Sequence, residues 1–187
     1  MTNLKARLAA GVLLALAGFG MTPSAAAETG STGFEPLVRL AAERLAVADR
    51  VAAVKFDSGK PVEVPARERE VLAEISEQAE RTGVAPTAAA EIFRDQIEAN
   101  KLVQRGLIFG WKNGVAEPPE QRPDMDAVRA RIDEINDELL STLARSEDAR
   151  HAPDCRVELA RAGAHVASEL DTLHGRALVR SLRSVCR

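Results

Sequence analysis

Residues 55–71 contain side chains suited to binding a small anion. Lys55 falls at the end of one predicted amphipathic helix, and Pro61 and Pro65 bracket a short break in the chain. Arg67 and Glu68 follow as the next helix opens. A cation, a turn and then an Arg-Glu pair on an inward face suit a pocket for a small dicarboxylate, because Lys and Arg both bind carboxylates. The alternative is that Arg67 and Glu68 form an exposed surface pair, which contributes little to stability.

Two cations interrupt the apolar face predicted for the helix that ends near Lys55. Arg44 and Lys55 share this face and lie about three helical turns apart, or roughly 16 Å along the axis. A charge on a core face needs a partner, because desolvating it alone is costly. The two cations therefore indicate internal salt bridges or an anionic ligand, unless both reach solvent from the edge of the face. The pattern alone favours neither interpretation.

Two amides and a further arginine interrupt other apolar faces. Asn100 and Gln104 lie one turn apart on the predicted third helix, and Arg129 shares a face with apolar residues of the fourth. Buried amides need hydrogen-bond partners, which a neighbouring helix can supply. Polar residues on four apolar faces at once favour a polar pocket inside a helical bundle.

Other kinds of site lack the residues they need. The three histidines have no metal-ligand spacing, and no nucleotide-binding, P-loop or nucleophilic-serine motif is present. The formal net charge is −3, and an acidic chain is poorly suited to binding nucleic acid. We therefore expect a small-molecule ligand and neither a metal nor a nucleic-acid partner.

The elements that position these residues are all predicted to be helices. Aromatic residues make up only 3% of the chain, which is rich in Ala, Leu, Glu and Arg, and this composition favours helix bundles. The predicted helices cover 35–55, 65–81, 86–112, 124–148 and 153–185, with a cap at Asp124 and a kink or break at Gly175. No alternating strand pattern is present. The sequence thus predicts an all-α fold in a single domain.

The first 27 residues have the features of an export signal. Lys5 and Arg7 precede an apolar run over 8–21, and small residues before Glu28 suit cleavage near Ala27. The run is shorter than the roughly 20 residues of a membrane-spanning helix. We therefore expect an exported protein, periplasmic or secreted, that has no membrane association after cleavage.

Cys155 and Cys186 are the only two cysteines in the chain. In an exported protein, two cysteines most simply form one disulfide. It would join the start of the last helical region to its end. A metal-bound or catalytic thiol is disfavoured, because no Cys-x-x-Cys pair or histidine cluster accompanies the cysteines.

Three stretches, in this order, resemble the secreted chorismate mutases of the all-helical AroQ class, gamma subclass. They are residues 41–55, residues 61–72 with the pattern K-x5-PV-x4-RE that starts at Lys55, and residues 96–112. The resemblance spans nearly the whole chain after the signal. It implies one chorismate mutase domain over 28–187, with catalytic helices at 34–113, a linker at 114–123 and a C-terminal helical extension at 124–187. The Cys155–Cys186 disulfide would close that extension.

The resemblance also implies the reaction, which is the Claisen rearrangement of chorismate to prephenate without a cofactor. Arg44, Lys55 and Gln104 would be catalytic. The substrate-binding residues would be Arg44, Lys55, Arg67, Glu68, Asn100, Gln104 and Arg129. Among these the arginines would hold the two carboxylates, Lys55 and Gln104 would donate to the ether oxygen, and Glu68 would accept from the substrate hydroxyl. Relatives of this class would form a homodimer with each site built within one chain.

One departure and two alternatives accompany this interpretation. Val64 stands where many relatives carry an aspartate, so one polar contact to the substrate would be missing. The first alternative is an exported helical binding module without catalysis. The second is an isochorismate pyruvate lyase-like activity, which would yield pyruvate and salicylate in place of prephenate.

Overall fold

The computed structural model describes residues 33–121 and 123–186, which form helices and connecting segments without any strand. The all-α prediction is therefore confirmed, and the predicted export signal at 1–27 lies outside the described residues. The helices are α1 (Glu35–Ser58), α2 (Pro65–Thr82), α3 (Pro86–Lys112), α4 (Met125–Arg145), α5 (Glu147–His151), α6 (Cys155–Ala167) and α7 (Thr172–Ser181).

The ends of the first four helices follow from local sequence. A proline lies in the first turn of α1, α2 and α3, where the missing N–H would have no helical partner. Gly59 and Gly83 end α1 and α2 with φ of 66° and 79°, a left-handed conformation that glycine adopts without strain. The Asp124 side chain accepts a hydrogen bond from the Asp126 N–H and caps α4, as predicted.

The C-terminal region is more divided than the sequence predicted. The helix expected over 124–148 ends at Arg145, and the short α5 follows it. The helix expected over 153–185 consists of α6 and α7, and the break lies at 168–171. Gly175, where a kink or break was predicted, lies inside α7. That prediction is wrong because the break is set by Asp171, whose side chain caps the new helix.

α1 is the central helix of the bundle. It packs against α3, α4, α6 and α7, while α3 also contacts α2 and α7. Small residues of α1 such as Ala41 and Ala48 are fully buried, so neighbouring helices can approach closely. Gly106 of α3 serves the same purpose, because a Cβ there would lie 2.8 Å from the Leu173 methyl groups of α7. The residues that interrupt the apolar faces of α1 and α3 are thus held within one packed unit.

The predicted disulfide is present. The Sγ atoms of Cys155 and Cys186 are bonded, and their Cα atoms lie 5.8 Å apart. Cys155 starts α6 and Cys186 follows α7, so the bond joins both ends of this helical pair. Arg150 reinforces the closure, because its buried Nε donates to the Val185 carbonyl at 3.0 Å.

Candidate active site

Arg44 lies at the centre of the candidate site. Its side chain projects from α1 and the residue is only 5% exposed. Its Nε donates to Asn136 Oδ1 at 3.1 Å and its Nη1 donates to the Gln96 carbonyl at 3.4 Å. Burial lowers the pKa of Arg44 to about 10, so the guanidinium remains charged at neutral pH. Two helices therefore orient a buried cation.

The partners of Arg44 are both neutral. Among the described residues no carboxylate forms an ion pair with it, and burial is the only influence on its pKa. A buried charge without a counter-charge is costly, since its lost hydration is not repaid by Coulomb attraction. The arrangement is typical of a group whose counter-charge comes from a ligand. Of the two interpretations left open by the sequence, internal salt bridge or anionic ligand, the geometry favours the ligand.

Lys55 lies half-buried near the C-terminal end of α1. Its Nζ donates to the Val62 carbonyl at 2.9 Å. The contact fixes the turn between α1 and α2 against the ammonium group. Burial lowers the pKa of Lys55, Glu63 and Glu68 oppose this change, and the nearby charge of Lys101 adds to it. Lys55 thus shares an electrostatic environment with α2 and α3.

The two amides of α3 lie on the side of this helix that faces the site. Asn100 Nδ2 donates to the Gln96 carbonyl at 2.9 Å, so Asn100 and Arg44 share one acceptor. Gln104 is 6% exposed, and its Oε1 accepts no hydrogen bond from any described residue. A buried, unsatisfied amide oxygen is rare in folded proteins and needs an explanation. The amide oxygen of Gln104 is thus available to accept a hydrogen bond from a bound molecule.

Glu68 and Lys101 form an ion pair between α2 and α3. Lys101 Nζ lies 3.0 Å from Glu68 Oε2 and 2.6 Å from Glu98 Oε1. Glu68 Oε1 accepts a longer hydrogen bond from the Val64 N–H at 3.4 Å. Lys101 is buried. The pair therefore fixes a carboxylate at the start of α2, close to Lys55.

Arg67 and Arg129 are placed differently from the other predicted site residues. The Arg67 side chain is 60% exposed and lies near Glu70 and Glu74 of its own helix. The Arg129 side chain is 67% exposed and pairs with Asp126 of α4. The structure therefore brings Arg44, Lys55, Glu68, Asn100 and Gln104 toward the interfaces of α1, α2 and α3 and leaves these two arginines on the surface.

Two residues of the site were not singled out from the sequence. Asn136 is buried and orients Arg44, and Lys101 orients Glu68. Asn136 offered a signal, because it follows Ile132 by one turn and precedes Leu139 by three residues on an apolar face of α4. The sequence signal for burial of Lys101 is weaker, because a lysine three residues after Glu98 is typical of an exposed helical pair.

The described residues lack two other kinds of feature. They contain no cluster of three or more His, Cys, Asp or Glu side chains able to hold a metal ion. No helix among them is long and apolar enough to cross a bilayer.

The fold is all-helical, and the candidate site combines a buried cation with amide side chains, an arrangement suited to a small anion. Comparisons with known proteins specify the class further. The family model for chorismate mutase type II matches residues 35–105. A secreted chorismate mutase from Mycolicibacterium smegmatis is 38% identical over 182 residues, which cover 96% of this chain and 99% of the relative. One from Mycobacterium tuberculosis is 34% identical over 179 residues, covering 95% and 89%.

A solved structure agrees with these sequence comparisons. The crystal structure of chorismate mutase from Burkholderia phymatum superposes with a TM-score of 0.80 at 35% identity, covering 84% of this chain and 98% of the other. The chain belongs to the chorismate mutase family. The resemblance inferred from the three sequence stretches is thereby confirmed.

Proposed function

We propose that this protein catalyses the rearrangement of chorismate to prephenate. The observation that carries the proposal is Arg44, a buried guanidinium held by neutral partners and without a carboxylate counter-charge among the described residues. Chorismate is a dicarboxylate and would supply that counter-charge. The names of the matched relatives and of the matched structure support the same reaction.

In this mechanism the chain works by positioning and by charge. The reaction breaks one C–O bond and forms one C–C bond within a single molecule, so it requires no proton transfer. The site must hold the substrate in its compact conformer and stabilise negative charge that develops on the ether oxygen. Lys55 and Gln104 are the proposed donors to that oxygen. Asn100 lines the pocket, and Arg44 binds a carboxylate and lies near the same oxygen.

Arg67 and Arg129 are proposed to complete the recognition of the carboxylates. Each now pairs with an acid of its own helix in an exposed position. Such exposed pairs are worth at most about 1 kcal/mol, so they are readily exchanged for a buried contact with a ligand. Arginine suits this role because its guanidinium donates two parallel hydrogen bonds to one carboxylate.

The proposal is tested by following the loss of chorismate absorbance with residues 28–187 and identifying products by chromatography. Arg44→Ala and Lys55→Ala should each lower kcat by about 10²–10³, because removing one donor from a charge-stabilising site has that effect in other enzymes. Arg50→Ala and Lys60→Ala are matched controls at exposed positions. They should retain the activity of the unsubstituted protein.

Each other outcome identifies an alternative. Release of pyruvate and salicylate when isochorismate is supplied in place of chorismate would replace the mutase assignment with lyase-like activity. No turnover by a folded, disulfide-bonded protein would leave a helical binding module. Thermal unfolding of every variant, measured in parallel, separates loss of the site from loss of the fold.

We further infer where the protein acts and how it is organised. The relatives named secreted chorismate mutase support action outside the cytoplasm. From the sequence we propose cleavage near Ala27, which N-terminal sequencing of the exported protein would test. We also propose a single domain over 28–187. A homodimer is proposed from the family resemblance, and sedimentation equilibrium would measure it.

A further inference from the structure

Lys101 is a buried cation that the proposed mechanism does not yet use. The residue is 9% exposed, and its ammonium lies between Glu68 of α2 and Glu98 of its own helix. An exposed i, i+3 pair with Glu98 would suffice to stabilise the helix. Instead the lysine is turned inward and bridges two helices. Ion pairs with this degree of burial contribute little net stability by themselves, since desolvation offsets their attraction.

The Lys101 side chain is protonated and positively charged at neutral pH. Burial acts to lower the pKa of Lys101, but hydrogen bonds with Glu98 and Glu68 outweigh it and the pKa is raised. The ammonium therefore presents a permanent positive charge to Glu68 Oε2 at 3.0 Å. Among the residues that the structure describes, the other oxygen, Oε1, has only the 3.4 Å hydrogen bond from the Val64 N–H. One carboxylate oxygen is fixed, and the other is weakly held.

We propose that Lys101 is a positioning residue that fixes the Glu68 carboxylate so that Glu68 can accept a hydrogen bond from the substrate hydroxyl. This inference rests on the proposed function. A carboxylate has several lone-pair sites, so Glu68 can bind Lys101 and a hydroxyl at the same time. With one oxygen fixed by Lys101, Oε1 is the acceptor for the substrate.

Lys101 also offsets the repulsion between Glu68 and the carboxylates of the substrate. Glu68 places a negative charge near the binding position of a substrate that carries two carboxylates. A cation in direct contact with Glu68 offsets this repulsion at short range, where partial burial makes charge interactions strong. Both charges act on Lys55, because Glu68 raises the pKa of Lys55 and Lys101 lowers it. Lys101 thus adds positive potential on the side of the site that faces α2 and α3.

A double-mutant cycle tests the inference. The steady-state rearrangement of chorismate is measured for the unsubstituted protein, Lys101→Met, Glu68→Gln and the double variant. Lys101→Met should lower kcat/KM about tenfold, mainly through KM, because a charged hydrogen bond that orients a ground-state contact is lost. In the Glu68→Gln background the same substitution should change kcat/KM less than about twofold.

Two further variants test whether the effect depends on the charge and on the position of Lys101. Lys101→Arg retains the charge and should recover most of kcat/KM. Lys112→Met is the matched control, since it makes the same substitution at an exposed position of the same helix, and it should leave kcat/KM unchanged. Lys101→Gln replaces Lys101→Met in the cycle if the methionine variant does not fold.

The outcomes separate this inference from the proposed function. If the unsubstituted protein turns over chorismate and Lys101→Met lowers kcat/KM equally in both backgrounds, the positioning role is overturned and the mutase assignment stands. A purely structural role would lower the unfolding temperature while the folded protein keeps its KM, and this also overturns the inference. If the unsubstituted, folded protein shows no turnover, the proposed function fails and this inference fails with it.

Discussion

Gln104 is the single residue with the most distinctive chemistry in the candidate site. Its amide is buried on α3, one turn beyond Asn100, and its Oε1 has no partner among the described residues. A neutral amide donates a hydrogen bond at any pH, whereas a carboxyl group donates only when it is protonated. The proposed role as donor to the ether oxygen therefore has a pH signature that an engineered carboxylate would reveal.

Gln104→Glu should make the activity dependent on pH. At pH 7.5 the ionised carboxylate cannot donate, and we expect kcat/KM to fall by about 10²-fold. As the pH falls toward 5 the carboxyl group protonates and activity should rise, because burial favours the neutral acid. Rates are measured between pH 4.5 and 8.5. Gln104→Met is the control, since it has no donor at any pH and should stay low throughout. An unchanged profile for Gln104→Glu would contradict the assigned role.

Sequence patterns identified the inward cations of α1 but not their orienting partners. Arg44 could be predicted because the 3.6-residue period places it on the face of Ala41 and Ala48. For the Arg67-Glu68 pair, the inward position expected from the sequence is observed for Glu68 but not for Arg67. Consecutive helical residues point about 100° apart, so both side chains cannot face α3 equally. The place of Asn136 on an apolar face of α4 indicates burial, but no local pattern encodes its pairing with Arg44 of another helix.

At the scale of whole helices, His174 links the start of α7 to α1. Its Nε2 lies 2.9 Å from Asp49 Oδ1 and its Nδ1 lies 2.6 Å from Asp171 Oδ2. The hydrogen bond with Asp49 raises the pKa of His174 to about 9, burial opposes the change, and Asp171 adds to it. Asp171 therefore both caps α7 and binds the cation that fastens this helix to α1.

Removal of His174 should abolish a pH dependence of stability. The folded-state pKa of about 9 lies above the ordinary value of 6.5. The stabilisation is therefore fully present below about pH 6.5 and is lost as the pH rises through 9. We expect the free energy of unfolding to fall by about 1 kcal/mol over this window, a modest value because the Asp49 and Asp171 side chains are 44% and 64% exposed.

Urea denaturation between pH 6 and 10 measures this effect. The variant His174→Gln should lack it. His151→Gln removes an exposed histidine that pairs with Glu147, and it should keep the pH dependence of the unsubstituted protein. Parallel curves for all three proteins would rule out the assignment to His174.

Helix boundaries set by glycine or proline were predictable, whereas of the two aspartate caps only Asp124 was predicted and Asp171 was not. The ends of α2 and α3 follow the prolines and glycines of the sequence almost to the residue. In the C-terminal region Asp171 sets the break, although Gly175 is the more conspicuous residue in the sequence. Sequence alone favoured the glycine, because glycine is among the strongest local signals of a break in secondary structure.

At the scale of the whole molecule, the disulfide bears on stability more than on the site. Cys155 and Cys186 are 31 residues apart, and closing a loop of this size in the unfolded chain is worth about 3–4 kcal/mol. Replacing both cysteines by serine should lower the free energy of unfolding by that amount, as measured in urea. The kcat of the folded variant should remain unchanged, because the bond joins the ends of the α6–α7 pair, whereas Arg44, Lys55 and Gln104 lie on α1 and α3. A change below about 1 kcal/mol would refute the estimate.

The stretch that joins α3 to α4 has a consequence for covalent integrity. Residues 112–121 are exposed throughout, and both cysteines lie on the C-terminal side of them. A single proteolytic nick there would yield two fragments with no bond between them. One would hold Arg44, Lys55 and Glu68, and the other would hold Asn136, the residue that orients Arg44. The disulfide protects only the second fragment, so a nicked molecule would hold its site together by non-covalent packing alone.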